Sequence, residues 1–190
     1  MKETTIIYAH PNKESFNHAI LTKMVDALRD QPYTVLDLYE DKFNPVHSKE
    51  ELQYFSEGKA VDPLVKSYQE QLKKTTHLVL IFPIWWYNLP AILKGFFDKV
   101  MLNQFSHINT PTGVKGLLTN IEKVTVITTS KSPTWYLKYF GGNAIKKVLI
   151  KSTLKTIGIN KSKWVNLDEI DQSSTEKRTK FLNRLSRLVD

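Results

Sequence analysis

LVLIFPIWWYNLPAILKGFFDKVM, running from Leu78 to Met101, decides how the rest of the chain is read. Leu78 to Phe82 is a continuous apolar run, the pattern of a strand buried on both faces. At its exit stand Pro83, Ile84, Trp85, Trp86 and Tyr87. Proline lacks an N–H, so Pro83 is expected to end ladder pairing and leave the N–H groups of Trp85, Trp86 and Tyr87 free to face a ligand. Pro90 to Met101 then predicts a helix, with Pro in the first turn and an apolar face of Ile92, Leu93, Phe96, Phe97 and Val100. Two readings of the aromatic exit stay open: packing between helices or subunits, or walls for a flat apolar ligand.

Working outward, four more strands are expected: Thr5–Ala9, Tyr33–Tyr39, Val124–Thr129 and Lys163–Leu167. Helical spacing is seen over Phe16–Arg29, Lys49–Phe55, Asp62–Lys74, Ala144–Ile157 and Thr175–Leu188. Strands alternating with helices predict a parallel sheet covered on both faces. With right-handed crossovers, five strands give the order 2-1-3-4-5, a flavodoxin-like three-layer α/β sandwich. One domain over residues 1–190 is expected, because two would each be small for an independent core. Ligands in such sheets bind beyond the carboxyl ends of the strands, near the point where strand order reverses.

Three loops therefore carry the search. After the first strand comes YAHPNKESFN, with no glycine-rich turn for a dinucleotide. Ser15 is placed to cap a helix opening with Phe16 and Asn17, whose free N–H groups and dipole attract anions. His10 can add a donor or a charge to a phosphate; equally, Ser15 only caps and His10 only ends a strand. The aromatic loop is the second. The third, TTSKSPTWYLKYFGG, sets Thr128, Thr129, Ser130 and Lys131 beside Trp135, Tyr136, Tyr139 and Phe140. It reads either as a pocket wall with a few fixed polar contacts or as a surface loop held down by its rings.

Composition narrows the classes. Hydrophobic residues make up 41% and charged ones 24%, as in soluble globular proteins. MKETTIIYAH is not a signal peptide, and no apolar run reaches the ~18 residues of a membrane span. The absence of cysteine excludes disulfides and thiolate chemistry, and a cytoplasmic protein fits. The five histidines show no metal-ligand spacing, so no metal is expected. The formal charge of +8 comes from dispersed lysines, with Glu176, Lys177, Arg178 and Lys180 reading as one solvated helix face. Nucleic-acid binding is not expected.

AHP with SFN after the first strand, FPIWWYNLPAILKGFFDKV after the third and TT after the fourth resemble the NAD(P)H:quinone oxidoreductase family of flavodoxin-like flavoproteins. The middle block is the most specific, since loop and helix match together. The resemblance implies a bound flavin, homodimers with sites at the subunit interface, and two-electron ping-pong transfer from NADH or NADPH to a quinone-like acceptor, with azo or nitro compounds as further substrates. By position, His10, Ser15, Phe16 and Asn17 would hold the flavin phosphate and ribityl chain. Pro83, Ile84, Trp85, Trp86 and Tyr87 would line the isoalloxazine. Thr128, Thr129 and Ser130 would follow its pyrimidine edge, and Tyr136 would face the substrate as the catalytic residue.

The chain also departs from that family. Ser130 and Lys131 stand where Gly-Gly is common, and Gly142 where a histidine follows the tyrosine, which argues against a Tyr–His relay. Lys131 is read either as a charge near the reduced flavin or as a solvated loop cation. The long C-terminal extension that holds the adenosine half of FAD in larger members is missing, so FMN is expected, with FAD the alternative. A different class stays open: a flavoprotein subunit of a membrane transport system, touching a membrane only through its partner, with binding rather than turnover as output.

Overall fold

The computed structural model describes residues 3–188. Its strands are β1 (Thr4–Tyr8), β2 (Tyr33–Asp37), β3 (His77–Pro83), β4 (His107–Thr110), β5 (Gly113–Gly116), β6 (Lys123–Thr129) and β7 (Ser162–Leu167). Five of them form one parallel sheet in the order β2-β1-β3-β6-β7, which is the expected 2-1-3-4-5 arrangement. Helices α1 (Phe16–Leu28), α2 (Lys49–Tyr54), α3 (Pro63–Lys74), α4 (Ala91–Val100), α5 (Thr134–Tyr139) and α6 (Thr175–Leu185) flank it.

The apolar run of β3 shows why the strand carries no polar alternation. Leu78, Leu80 and Phe82 face a core shared with Tyr68 and Leu72 of α3 and with Leu93, Phe96 and Val100 of α4. Val79 and Ile81 point the other way, against Ile20 and Met24 of α1 and Phe181 and Leu185 of α6. Successive side chains alternate between two buried faces, and each contributes roughly 1.5–3 kcal/mol by leaving water.

The helix carrying the aromatic loop is fixed from below by a buried cation. Lys99 of α4 donates to the Asn44 carbonyl at 2.9 Å and pairs with Glu51 of α2 at 2.8 Å. Pro45 presses so closely on α4 that a Cβ added at Gly95 would lie 2.3 Å from its ring carbon. The excursion between β2 and α3 thereby clamps α4, and with it the loop that α4 terminates.

Four expectations are corrected. Pro83 does not end the ladder: it stands in register with Thr129, and the Ile84 N–H donates to the Thr129 carbonyl at 2.8 Å. Alternate residues of a parallel strand serve alternate neighbours, so the missing N–H of Pro83 faces the β1 side, where β1 has already ended at Tyr8. The β4–β5 hairpin was not expected; its four-residue, mostly exposed strands leave no apolar signature. Thr134–Tyr139 is a helix rather than a loop, started by Pro133 and too short to show periodicity. The helix foreseen over 144–157 is wound over Ile145–Leu154 with i→i+5 hydrogen bonding, for which the sequence offers no physical account.

Candidate functional site

A cleft of about 650 Å³ opens at the carboxyl end of the sheet, within the range of cofactor sites. His10, Ser15, Phe16 and Asn17 line one end of it, Pro83 through Tyr87 a wall, and Thr129, Ser130 and Lys131 the floor opposite.

The first end is organised by local polar bonds. The Asn12 N–H donates to Nδ1 of His10 at 3.1 Å, and the Glu14 N–H donates to Oδ1 of Asn12 at 2.8 Å. Nδ1 is thus the acceptor nitrogen and Nε2 carries the proton. Burial holds the His10 pKa below its ordinary value, which favours the neutral ring. Ser15 caps α1 by accepting from the His18 N–H at 3.2 Å. Among the described residues, the N–H groups of Phe16 and Asn17 find no acceptor, as the first turn of a helix requires. Asn17 is 3% exposed; its Nδ2 donates to Thr129 Oγ1 at 2.9 Å, while its Oδ1 is buried without a partner.

The wall is a two-residue turn. Trp85 and Asn88 exchange both backbone hydrogen bonds, at 3.1 and 2.9 Å, so the Trp85 N–H is not free as the sequence suggested. Trp86 (φ 47°) and Tyr87 (φ 65°) between them are both left-handed. That geometry suits Asn-Gly; bulky residues there cost of order 1–3 kcal/mol each. The N–H groups of Trp86 and Tyr87 have no acceptor among the described residues. Trp86 is 94% exposed, and the Tyr87 ring lies against Gly141, where a Cβ would come within 2.9 Å of it.

The floor is stapled to the loop after β7. Asn166 Nδ2 donates to Ser130 Oγ and Thr134 Oγ1, each at 2.9 Å, and Thr134 donates to Asp168 through both its N–H and its hydroxyl at 2.8 Å. Burial alone would raise the Asp168 pKa, but Lys177 at 2.8 Å and the two Thr134 donors hold it below the usual carboxylate value. Lys131 pairs with Asp171 at 2.8 Å, both side chains well exposed.

Two expected residues lie outside the lining. Thr128 is fully buried, donating to Asn166 Oδ1 at 2.7 Å and accepting from Trp164 Nε1 at 2.8 Å; strand alternation turns it away from the side that Thr129 faces. Tyr136 stands behind Tyr87, with ring centroids 6.3 Å apart, stacked on Phe140 at 5.9 Å. Its hydroxyl beside that of Tyr87 raises the Tyr87 pKa.

With this geometry the comparisons have a definite meaning. The flavodoxin-like fold family matches residues 2–189. An uncharacterized NAD(P)H oxidoreductase of Haemophilus influenzae is 31% identical over 157 residues, covering 81% of this chain and 77% of that protein. The chain belongs to the NAD(P)H:quinone oxidoreductase family, flavodoxin-like in fold. NAD(P)H dehydrogenase [quinone] 1 of Cavia porcellus is 30% identical over 154 residues, but the match spans only 56% of that longer protein. Among solved structures, NAD(P)H:quinone oxidoreductase from Methanothermobacter marburgensis superposes with a TM-score of 0.86 at 26% identity, covering 98% of this chain and 96% of that one. An FMN-dependent NADH-azoreductase from Bacillus anthracis, solved with FMN, shares the fold at 20% identity, with a TM-score of 0.78 and full coverage of both chains.

The residues present fit the flavin this family uses. Two unfilled N–H groups at the α1 terminus, two more on the aromatic turn and the unpaired Oδ1 of Asn17 offer donors and an acceptor left unsatisfied among the described residues. The sequence reading missed Ser132, Leu137, Ile170 and Asp171, which complete the lining. The loop after the last strand also ends at the carboxyl edge of the sheet, and that rule alone would have flagged Ile170 and Asp171. Lys177 and Arg178, expected on a solvated face, instead tie α6 to this loop: Arg178 donates to the Ile170 carbonyl at 2.7 Å and Lys177 holds Asp168.

Proposed function

We propose that the chain is an FMN-dependent NAD(P)H oxidoreductase acting on quinones or similar acceptors, azo and nitro compounds included. The observation that carries this reading is the meeting, in one cleft, of free N–H groups at the start of α1 with free N–H groups on an aromatic turn. FMN held there would supply two-electron hydride chemistry between NADH or NADPH and the acceptor.

The chain's own residues bind, orient and exclude water. Phe16 and Asn17 N–H groups, the α1 dipole and His10 Nε2–H hold the phosphate. Trp85, Trp86 and Tyr87 cover the ring, with Pro83 and Ile84 beneath, and the Trp86 and Tyr87 N–H groups meet its polar edge. Thr129 and Ser130 line the opposite edge, while Thr128 acts only by positioning Trp164 and Asn166. Tyr136 works through Tyr87, orienting the phenol that holds the acceptor oxygen. A cleft used in turn by donor and acceptor would impose a ping-pong order.

Homodimers are supported by the exposed rings of Trp86, Trp135, Tyr139 and Phe140 beside the cleft mouth. A cytoplasmic setting accords with the lack, among the described residues, of any helix long and apolar enough to cross a membrane. Support for FMN over FAD comes from the FMN-bound azoreductase of the same fold. No specific observation favours a regulatory subunit.

The test is a visible spectrum of the purified protein loaded with FMN, followed by anaerobic NADPH or NADH and then a quinone. The expected course is bleaching, then recovery at a rate that sustains turnover. A protein that binds neither FMN nor FAD would overturn the reading; binding without turnover would favour the regulatory class. Tyr136→Phe is expected to slow quinone reduction by up to about tenfold, the worth of one neutral hydrogen bond, while leaving the rate of bleaching unchanged.

A further inference from the structure

Among the described residues, Lys131 and Asp171 are the only ones of fixed formal charge that line the cleft, one of each sign, and they are paired with each other at 2.8 Å. His10 is the ionisable group that the first loop adds to the lining, and burial lowers its pKa, which favours the neutral ring. The cleft lining therefore presents no net charge, although its α1 end is built to attract an anion. Lys131 comes from the loop after β6 and Asp171 from the loop after β7. Helix α6 ties that second loop to the α1 end: its Arg178 donates to the Ile170 carbonyl at 2.7 Å and lies 5.8 Å over the Phe16 ring, which also meets Phe181 of α6 at 6.2 Å. A phosphate seated at Phe16 and Asn17 thus arrives beside the loop that bears Asp171.

We propose that Asp171 and Lys131 form a charge gate that sets how strongly the cleft selects a phosphorylated flavin over an unphosphorylated one. Asp171 occupies the single ammonium of the lining and adds a negative charge that opposes a dianionic phosphate. The phosphate must draw Lys131 from Asp171 before the lining carries a matching cation. Removing the carboxylate releases Lys131 to the ligand; removing the ammonium leaves Asp171 as an uncompensated repeller. Both side chains are exposed, so solvent screens the pair and each step is a factor of roughly three to five in affinity. The inference rests on the flavin reading proposed above.

The test measures dissociation constants of FMN and riboflavin, by quenching of flavin fluorescence, for the full chain stripped of flavin. Asp171→Asn is expected to raise the FMN-over-riboflavin preference about three- to fivefold, and Lys131→Met to lower it by a similar factor. The double variant should lie between them, and every difference should shrink at high salt. Thermal denaturation of each variant checks that folding is unaltered. If flavins bind and both substitutions move FMN and riboflavin equally, the gate is overturned and the flavin reading stands. If neither flavin binds the wild-type chain, both fall together.

Discussion

The loop after β1 and the turn after β3 lie at the same end of the same sheet, yet they are held in opposite ways. From His10 to Ser15 the backbone is relaxed, with no residue at positive φ, and short-range bonds from Asn12 and Ser15 fix its course. From Trp85 to Asn88 two bulky residues are forced left-handed. The first loop could form from its own sequence; the second persists only because β6 extends the ladder to Ile84 and α4 is clamped by Lys99. The proposed anion end, built by local chemistry, sits beside an aromatic end built by tertiary constraint. Strain that the surrounding fold enforces is what a pre-shaped ligand wall needs.

The comparison can be broken most forcefully at the turn. Replacing Trp86 with Asn and Tyr87 with Gly gives the residues that such a turn prefers. FMN affinity is expected to fall about a hundredfold as two ring walls are lost. Stability should rise by about 1 kcal/mol as the strain is relieved against the loss of ring contacts. Flavin titration and urea denaturation of the same preparation check both; a fall in stability would show that the turn is not strained.

Asp168→Asn attacks the staple beneath the floor. Loss of charge-assisted bonds from Thr134 and Lys177 should cost about 2 kcal/mol at neutral pH. Because the Asp168 pKa is lowered in the folded protein, this stability is complete above the unfolded carboxylate value near ~4 and is lost as pH falls through the folded one. The gap between wild type and variant should therefore close in acid, and denaturation curves across that range would show it.

The smallest effect is expected at the local end. Ser15→Ala removes one cap bond and should cost about 1 kcal/mol. It should weaken FMN more than riboflavin and leave ring-dependent quenching unchanged. Equal weakening of both would mean that the α1 terminus does not receive the phosphate.

Much of this molecule was legible before any coordinates. The β3 run announced its two buried faces, alternation of strand and helix gave the sheet order, and Ser15 announced a cap. Where the reading failed, the cause was a partner distant in sequence. Thr128 and Thr129 look alike in the chain, but Thr128 is held from 36 and 38 residues away by Trp164 and Asn166. Pro83 looked like a ladder terminator because the strand beside it on each edge is invisible from Pro83 alone. Lys131 looked like a free charge until Asp171 arrived from the next loop.

By itself the sequence determined what short-range physics can settle: which residues are apolar in register, where a helix starts, and that three aromatics gather where a strand ends. The tertiary structure decided which N–H groups remain unfilled, which threonine faces the cleft, and that the Lys131 ammonium lining it is already paired. Periodicity and capping act over a few residues and are written in the chain, whereas hydrogen-bond and charge partners are chosen by the sheet, which brings together loops that the sequence keeps apart.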